Sequence, residues 1–288
     1  MQQLDYWLAV ILAGCVLASG SANAQEAQSG ICSPNRFEDA RYVFHRAWFE
    51  QADEQFDEYL ATCAEDPRAH AYAAIIDMLL YRDNSLHVAH AMRLADNVEE
   101  TEALFVKALA RFSQGQLEEA ESDLRQYLLA VPTDRYAAHV LGFTLNDQGN
   151  PDKGVEVLQQ LLESDPGYFP AKNHLAYGLF KTDRADEAIQ VIREFVVADP
   201  ANPSAWDTQA DILYSLGRSE EAIASLCRSV LLDKRFAYGY RHLGNILSKT
   251  GDLEAAEAAY RNAILSAETY GPDFAASVEQ LLIEMGRD

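Results

Sequence analysis

The stretch "GQLEEAESDLRQYL", Gly115 to Leu128, comes back as "GDLEAAEAAYRNAI", Gly251 to Ile264, 136 residues further on. Both run glycine, polar, Leu, acid, any residue, Ala, acid, with an aliphatic or aromatic residue four places after the Ala. A separation of 136 is four periods of 34, and self-similarity at a fixed period marks a repeat array. Units starting at residues 33, 67, 101, 135, 169, 203 and 237 fit one frame without gaps, and the last ends at Tyr270.

Each unit reads as two helices joined by a short turn, over roughly unit positions 2–14 and 17–31. Small residues recur at the eighth and twentieth positions, as in Ala210 with Ala222 and Gly244 with Ala256. The two helices cross there, and only small side chains permit the close approach. Large apolar residues at the seventh, eleventh and twenty-fourth positions, such as Leu243, Leu247 and Tyr260, fill the space around the crossing. Gly115, Gly149, Gly217 and Gly251 follow the first helix, where a left-handed residue favours glycine. Glu118, Glu119, Asp152, Glu220 and Glu221 come next and complement the positive end of the second helix. Asp-Pro pairs at 66–67, 165–166 and 199–200 break the chain between units. One hairpin cannot bury its own apolar face; stacking on a like neighbour does so, and the period is the hairpin's length.

Tyr240-x-x-Leu243-Gly244-x-x-Leu247, then Ala256-x-x-x-Tyr260, resembles the tetratricopeptide repeat (TPR) signature, and so does Trp206-x-x-Gln209-Ala210-x-x-Leu213 with Ala222-x-x-x-Leu226. Leu141-Gly142 and Leu175-Ala176, with Pro132, Pro166 and Pro200 at the unit ends, continue the match, and Ala40, Ala52, Phe56 and Tyr59 keep it in the first unit. The resemblance covers residues 33–270. It implies an all-α, right-handed solenoid of about seven helical hairpins, with residues 271–288 as a C-terminal capping helix. Residues 101–270 make five regular repeats and 33–100 two divergent hairpins. Unit 67–100 is the misfit, with Leu86, His90 and Arg93 at positions that want other residues; it reads as a degenerate hairpin with either a shifted register or altered packing.

The family's helix-A columns line a concave groove, and the resemblance implies that this groove holds a protein or peptide. In this sequence those columns carry Tyr136, His139, Phe143, Asn146, Asn173, Tyr177, Phe180, Asp207, Asp211, Tyr214, Arg241 and Asn245. Aromatics with interspersed amides suit an extended peptide or a partner helix. Asp207 and Asp211, one turn apart, suit a partner with basic segments. Phe105, Leu109 and Phe112 fall in the same columns but read as packing between stacked helices. Arg241 and Asn245 match the first half of the carboxylate clamp found in some TPR domains; Ala276 stands where its second half belongs, so carboxylate capture is not expected.

The chain has 23 Lys and Arg against 45 Asp and Glu, a net charge of −22. That balance repels phosphate backbones and anionic headgroups, so nucleic acid is not an expected partner. Residues 1–24 read as a secretory signal peptide. Tyr6–Ala18 is an apolar run too short to span a bilayer, and Ala22-Asn23-Ala24 fits a cleavage site, followed by a short tail over 25–32. The run lacks a preceding base, and Asp5 stands in its place. A second reading stays open: "LAGC", Leu12–Cys15, resembles a lipoprotein box and would anchor the chain through Cys15. Membrane contact is expected only in that case.

Export brings an oxidising compartment. Cys32 precedes the first helix of unit 33–66 and Cys63 ends its second, so the antiparallel hairpin sets them side by side and a disulfide is expected. Cys227 reads as a buried free thiol. His87 and His90 share a helix face, but no third ligand is marked, and no metal or cofactor is expected. No nucleophile elbow, zinc-protease or phosphate-loop motif occurs. The expected function is that of a periplasmic or secreted, non-catalytic scaffold or assembly factor. The alternative is an outer-membrane lipoprotein subunit of an export, pilus or envelope-assembly machine; an enzyme comes third. Oligomeric state and pathway are not encoded in any motif.

Overall fold

Seven residues have a left-handed backbone where the turn inside each unit needs one: Ala47, Tyr81, Gly115, Gly149, Asp183, Gly217 and Gly251, with φ between 57° and 92°. They lie 34 residues apart throughout, the unit 67–100 included. In the computed structural model, which describes residues 32–286, seven antiparallel helix pairs follow one another. They are α1 (Pro34–His45) with α2 (Phe49–Leu60), α3 (Pro67–Leu79) with α4 (Ser85–Ala95), and α5 (Glu100–Ser113) with α6 (Leu117–Ala130). Then come α7 (Arg135–Asp147) with α8 (Pro151–Ser164), α9 (Ala171–Lys181) with α10 (Ala185–Ala198), α11 (Pro203–Ser215) with α12 (Ser219–Leu232), and α13 (Ala237–Thr250) with α14 (Leu253–Leu265). A final helix, α15 (Pro272–Glu284), packs on α14. No strand occurs among the described residues, and no helix there is long and apolar enough to cross a membrane.

The crossing within each pair is as tight as the small residues require. Ala108, Ala120, Ala210, Ala222 and Ala256 are fully buried. A Cβ on Gly244 would sit 2.5 Å from the Tyr260 ring, and one on Gly142 2.4 Å from Leu158. Asp66, Asp134 and Asn202, each the last residue of a unit, cap the next helix by accepting backbone N–H groups of Arg68, Tyr136 with Ala137, and Ala205. In the divergent unit, α4 starts two residues later in its frame than the other second helices. It buries Val88, Ala91, Leu94 and Ala95, one place beyond the positions that α10 buries with Ile189, Ile192, Phe195 and Val196. Leu86 is thereby turned to solvent, which is why this unit defeats the repeat pattern.

First helices of consecutive units touch each other, α3 on α5, α7 on α9, α9 on α11 and α11 on α13, and no comparable contact joins consecutive second helices among the described residues. The first helices therefore line the inner side of the curve and the second helices the outer. The curve is tight enough to return on itself. The turn between α1 and α2 meets the connection between α10 and α11: Arg46 reaches Asp199 (2.7 and 2.9 Å), Asn202 Nδ2 donates to Arg46 O (2.7 Å), and Ser204 Oγ donates to Ala47 O (2.7 Å). Glu54 pairs with Arg235, and Tyr270 OH donates to the buried Glu50. The turn between α3 and α4 meets the start of α15: Gly271 N–H donates to Leu80 O (2.7 Å), Tyr238 OH donates to Leu79 O (3.1 Å), and Tyr81 packs edge-on against Phe274. Ala47 and Tyr81, two of the three left-handed residues that are not glycine, sit at this seam. A left-handed backbone costs such residues about 1–2 kcal/mol each, and the seam contacts hold them in it.

Cys32 and Cys63 stand side by side as the hairpin requires, with Cα atoms 5.3 Å apart, within disulfide reach. Cys227 is a correction: its thiol is free but exposed, because α12 buries Ala222, Ser225, Leu226 and Ser229 and the residue after Leu226 falls about 100° round the helix, on the outer side. The segments expected to hold the signal peptide and Cys15 lie outside the described residues.

Gly271 is where the seam leaves no room, since a Cβ there would lie 1.7 Å from Tyr81 O. Gly271→Ala should therefore destabilise the chain by about 1–3 kcal/mol and speed amide exchange at the α3–α4 turn. An unchanged denaturation midpoint with unchanged exchange would contradict the seam.

Candidate functional site

The inner face divides in two. In the first four units it is shut by the chain's own side chains. Arg41 of α1 lies over the Tyr136 ring of α7 at 3.9 Å. His45 Nδ1 lies 3.0 Å from His139 Nδ1, His139 Nε2 lies 2.7 Å from His174 Nδ1, and the Tyr72 and Tyr168 hydroxyls close the network on His45 and His139. Tyr136 and His139, expected on an open groove, are thus buried, because α1 comes round to face α7. Phe105, Leu109 and Phe112 are core as well. Asn146 is buried in packing: its amide donates to His174 O, and its oxygen lies where Cβ atoms on Gly154 and Gly178 would go. His45 and His174 were not in the expected columns. Only the curvature that brings units 1, 4 and 5 together reveals them.

Over units 5 to 7 the inner face is open. Tyr177 and Asp211 are exposed, and Asn173, Phe180, Tyr214, Arg241 and Asn245 are partly so, whereas Phe143 of unit 4 packs between Phe112 and the His174 ring at the edge of the sealed part. Lys181 lies over the Tyr177 ring and Lys249 over that of Tyr214. Asn245 is committed to its own unit, its oxygen accepting from Tyr260 OH. Arg241 lies over Tyr238 and Phe274 and reaches Tyr81 OH at 3.4 Å.

Asp207 and Asp211 gain a third member that sequence reading missed. His242 Nδ1, from α13, stands 2.9 and 3.1 Å from the Asp207 oxygens and 3.9 Å from Asp211 Oδ2. Burial alone would lower the His242 pKa, but the two carboxylates win and lift it to about 9. Burial, with Asp207 beside it, raises Asp211 to about 6. A second histidine group gathers at α3 and α4: His70 Nδ1 lies 3.0 Å from His87 Nδ1, and the His90 ring lies tilted against that of His70, centroids 4.8 Å apart. His70 was the unmarked neighbour of the His87-x-x-His90 pair.

The outer side carries a groove between α6 and α8, about 700 Å³, floored by Leu128, Ala138, Leu141, Val157 and Leu161. Leu129 on its rim begins a column of exposed aliphatics one period apart or two, continued by Val197, Leu231 and Leu265.

Residues 145–212 and 208–273 each match a model of the tetratricopeptide repeat. The chain is a TPR protein. Among solved structures it is similar to a thermophilic TPR protein of Thermus thermophilus, at 18% identity and TM-score 0.58 over 64% of this chain and 99% of that one. It is also similar to the Cut9–Hcn1 hetero-tetramer of the APC/C, at 14% identity and TM-score 0.65 over 92% of this chain and 51% of that one. Identities this low establish the fold alone. No curated protein matches by sequence.

Burial holds His45 and His139 well below their ordinary pKa and His174 at about 4. Depressed histidines are neutral in the fold, so their contribution is complete above about pH 6.5 and is lost as pH falls below it, where the unfolded state takes up protons first. Asp147 and Asp211, both raised to about 6, act in the opposite sense, so the effect must be read locally. Between pH 7.5 and 5, amide protection over 40–50, corrected for intrinsic exchange, should fall relative to that of α12. Equal change in both would contradict a closure held by neutral histidines.

Proposed function

We propose that this TPR protein is an exported, non-catalytic scaffold that binds a polypeptide partner along the inner face of units 5 to 7. The observation that carries it is the contrast within one face. Units 1 to 4 seal theirs, while α9 presents Tyr177 and α11 presents Asp211 and Tyr214, with a lysine parked on each tyrosine ring. Rigid aromatics give contact area at low entropic cost, and amides and charges orient an extended chain. Two features support export: the signal-like run with its Ala-Asn-Ala site, and the Cys32–Cys63 pairing that an oxidising compartment maintains. Attachment through Cys15 is the second form of the same reading.

The outer groove favours a further docking mode. Its apolar floor and the exposed Leu129 suit the apolar stripe of a helix.

Tyr177→Ala with Tyr214→Ala should leave helicity intact and weaken a partner crosslinked in the native envelope fraction by at least about 2 kcal/mol, a hot-spot loss. Leu129→Glu should leave it unaffected if the inner face is the site. Loss of the partner with Leu129→Glu alone would move the site to the outer groove. Membrane fractionation abolished by Cys15→Ala would establish the anchored form.

A further inference from the structure

We propose that Asp207, Asp211 and His242 form a binding site for one first-row divalent cation of the zinc class, open to the inner face of units 6 and 7. One ligand atom from each residue lies within 4.8 Å of the other two, and His242 Nδ1 faces both carboxylates at 2.9 and 3.9 Å. Ligand atoms about 2.0–2.1 Å from a tetrahedral Zn²⁺ are about 3.3 Å apart. The observed spacings straddle that value, so side-chain adjustment brings the three donors onto one ion, the proton on His242 Nδ1 leaving to solvent as the metal takes its place.

The donors stand on rigid elements. Asp207 and Asp211 are one turn apart on α11, and His242 is on α13, which packs against it. Asp207 is 9% exposed, whereas the Asp211 side chain is half exposed. The site is therefore anchored on one side and open on the other, leaving a coordination position for water or a partner's side chain, as in three-ligand zinc sites. A simple ion pair would need one carboxylate for one imidazole; here there are two. Lys181, Lys249 and Arg241 all face this region, yet each is parked on an aromatic ring. Among the described residues no Lys or Arg pairs with Asp207 or Asp211. Asn173, at the same place in the preceding unit as Asp207, has a buried amide oxygen with no hydrogen-bond partner.

The donor set selects the ion. An imidazole with two carboxylates suits Zn²⁺, Co²⁺ or Mn²⁺, whereas Ca²⁺ and Mg²⁺ prefer oxygen alone in higher coordination. The His70–His87–His90 group is the rival. His70 already spends Nε2 on Ala64 O and Nδ1 on His87, so it offers no free nitrogen without breaking that arrangement.

The test is calorimetric titration of the full, tag-free chain with Zn²⁺, paired with Co²⁺ absorption in the visible. The site predicts one equivalent bound, d–d bands on Co²⁺ addition, and no competition from millimolar Mg²⁺. Asp211→Asn removes one ligand, keeps the His242–Asp207 pair and sits on the exposed side, so the chain remains folded. It should weaken Zn²⁺ about tenfold or more and alter the Co²⁺ spectrum, and His242→Gln should do the same. His87→Gln with His90→Gln should change neither. Zn²⁺ binding that survives Asp211→Asn at full strength, binding that vanishes with the His87 and His90 changes, or no saturable binding at all would each overturn the assignment.

Discussion

The contact on which the rest of the molecule depends is the meeting of the α1–α2 and α3–α4 turns with chain 153 to 220 residues away. A repeat array without such a contact is a one-dimensional object, its stability a sum of unit and neighbour terms. Closing the curve adds a term between units far apart in sequence. Arg46 on Asp199 is a charged hydrogen bond of this long-range kind, worth about 1.5–3 kcal/mol, and Arg82, held within the first two units by Asp53 and Asp77, reaches across to Thr269 O. The hairpin turn asks for the left-handed Ala47 and Tyr81 as it does for Asp183, and at the first two positions the strain sits beside the seam. The closed array should accordingly unfold with more cooperativity than an open ribbon of the same units.

Closure also decides what the inner face can do. A concave surface formed by successive first helices is normally a continuous trough. Here α1 crosses to α7, and the trough over units 1 to 4 becomes a core of Phe44, Tyr72, Tyr136, Tyr168 and three linked histidines. Three neutral imidazoles in a row make that core sensitive to acid in a way that an all-aliphatic seam would not be. The open part of the inner face contracts to units 5 to 7, which carry Tyr177, Tyr214 and the Asp207–Asp211–His242 group.

The local repeat was legible because its physics is local. Small residues at the crossings, glycines at the turns and prolines at the unit ends each act within one hairpin, and 34-residue spacing exposes them. The placing of Cys32 beside Cys63 was legible for the same reason. The seam was not. Gly271 looks like an ordinary turn glycine until Tyr81 O is found against its Cα, and Arg46, Asp199 and Ser204 carry no periodic signal. Hence the repeat columns place Tyr136 and His139 on an open groove that the structure fills, while His242 falls one place off its column, beside Arg241, and carries no periodic signal. The shift of α4 was visible as a misfit at Leu86, but its size depends on how Val88 and Ala91 pack, which is a tertiary matter. Cys227 was misassigned through its neighbour Leu226, since helix phase, not adjacency, sets burial.

The direct measure of closure is the distance across the seam in solution. Spin labels at Glu54→Cys and Arg235→Cys, in a Cys227→Ser background, replace one exposed ion pair and leave the buried contacts in place. Dipolar spectroscopy should give a single narrow distribution at the short end of the measurable range, broadening when Gly271→Ala is added. A long, broad distribution in the parent chain would show that the first two units do not return to the last three, and the closed solenoid would have to be abandoned.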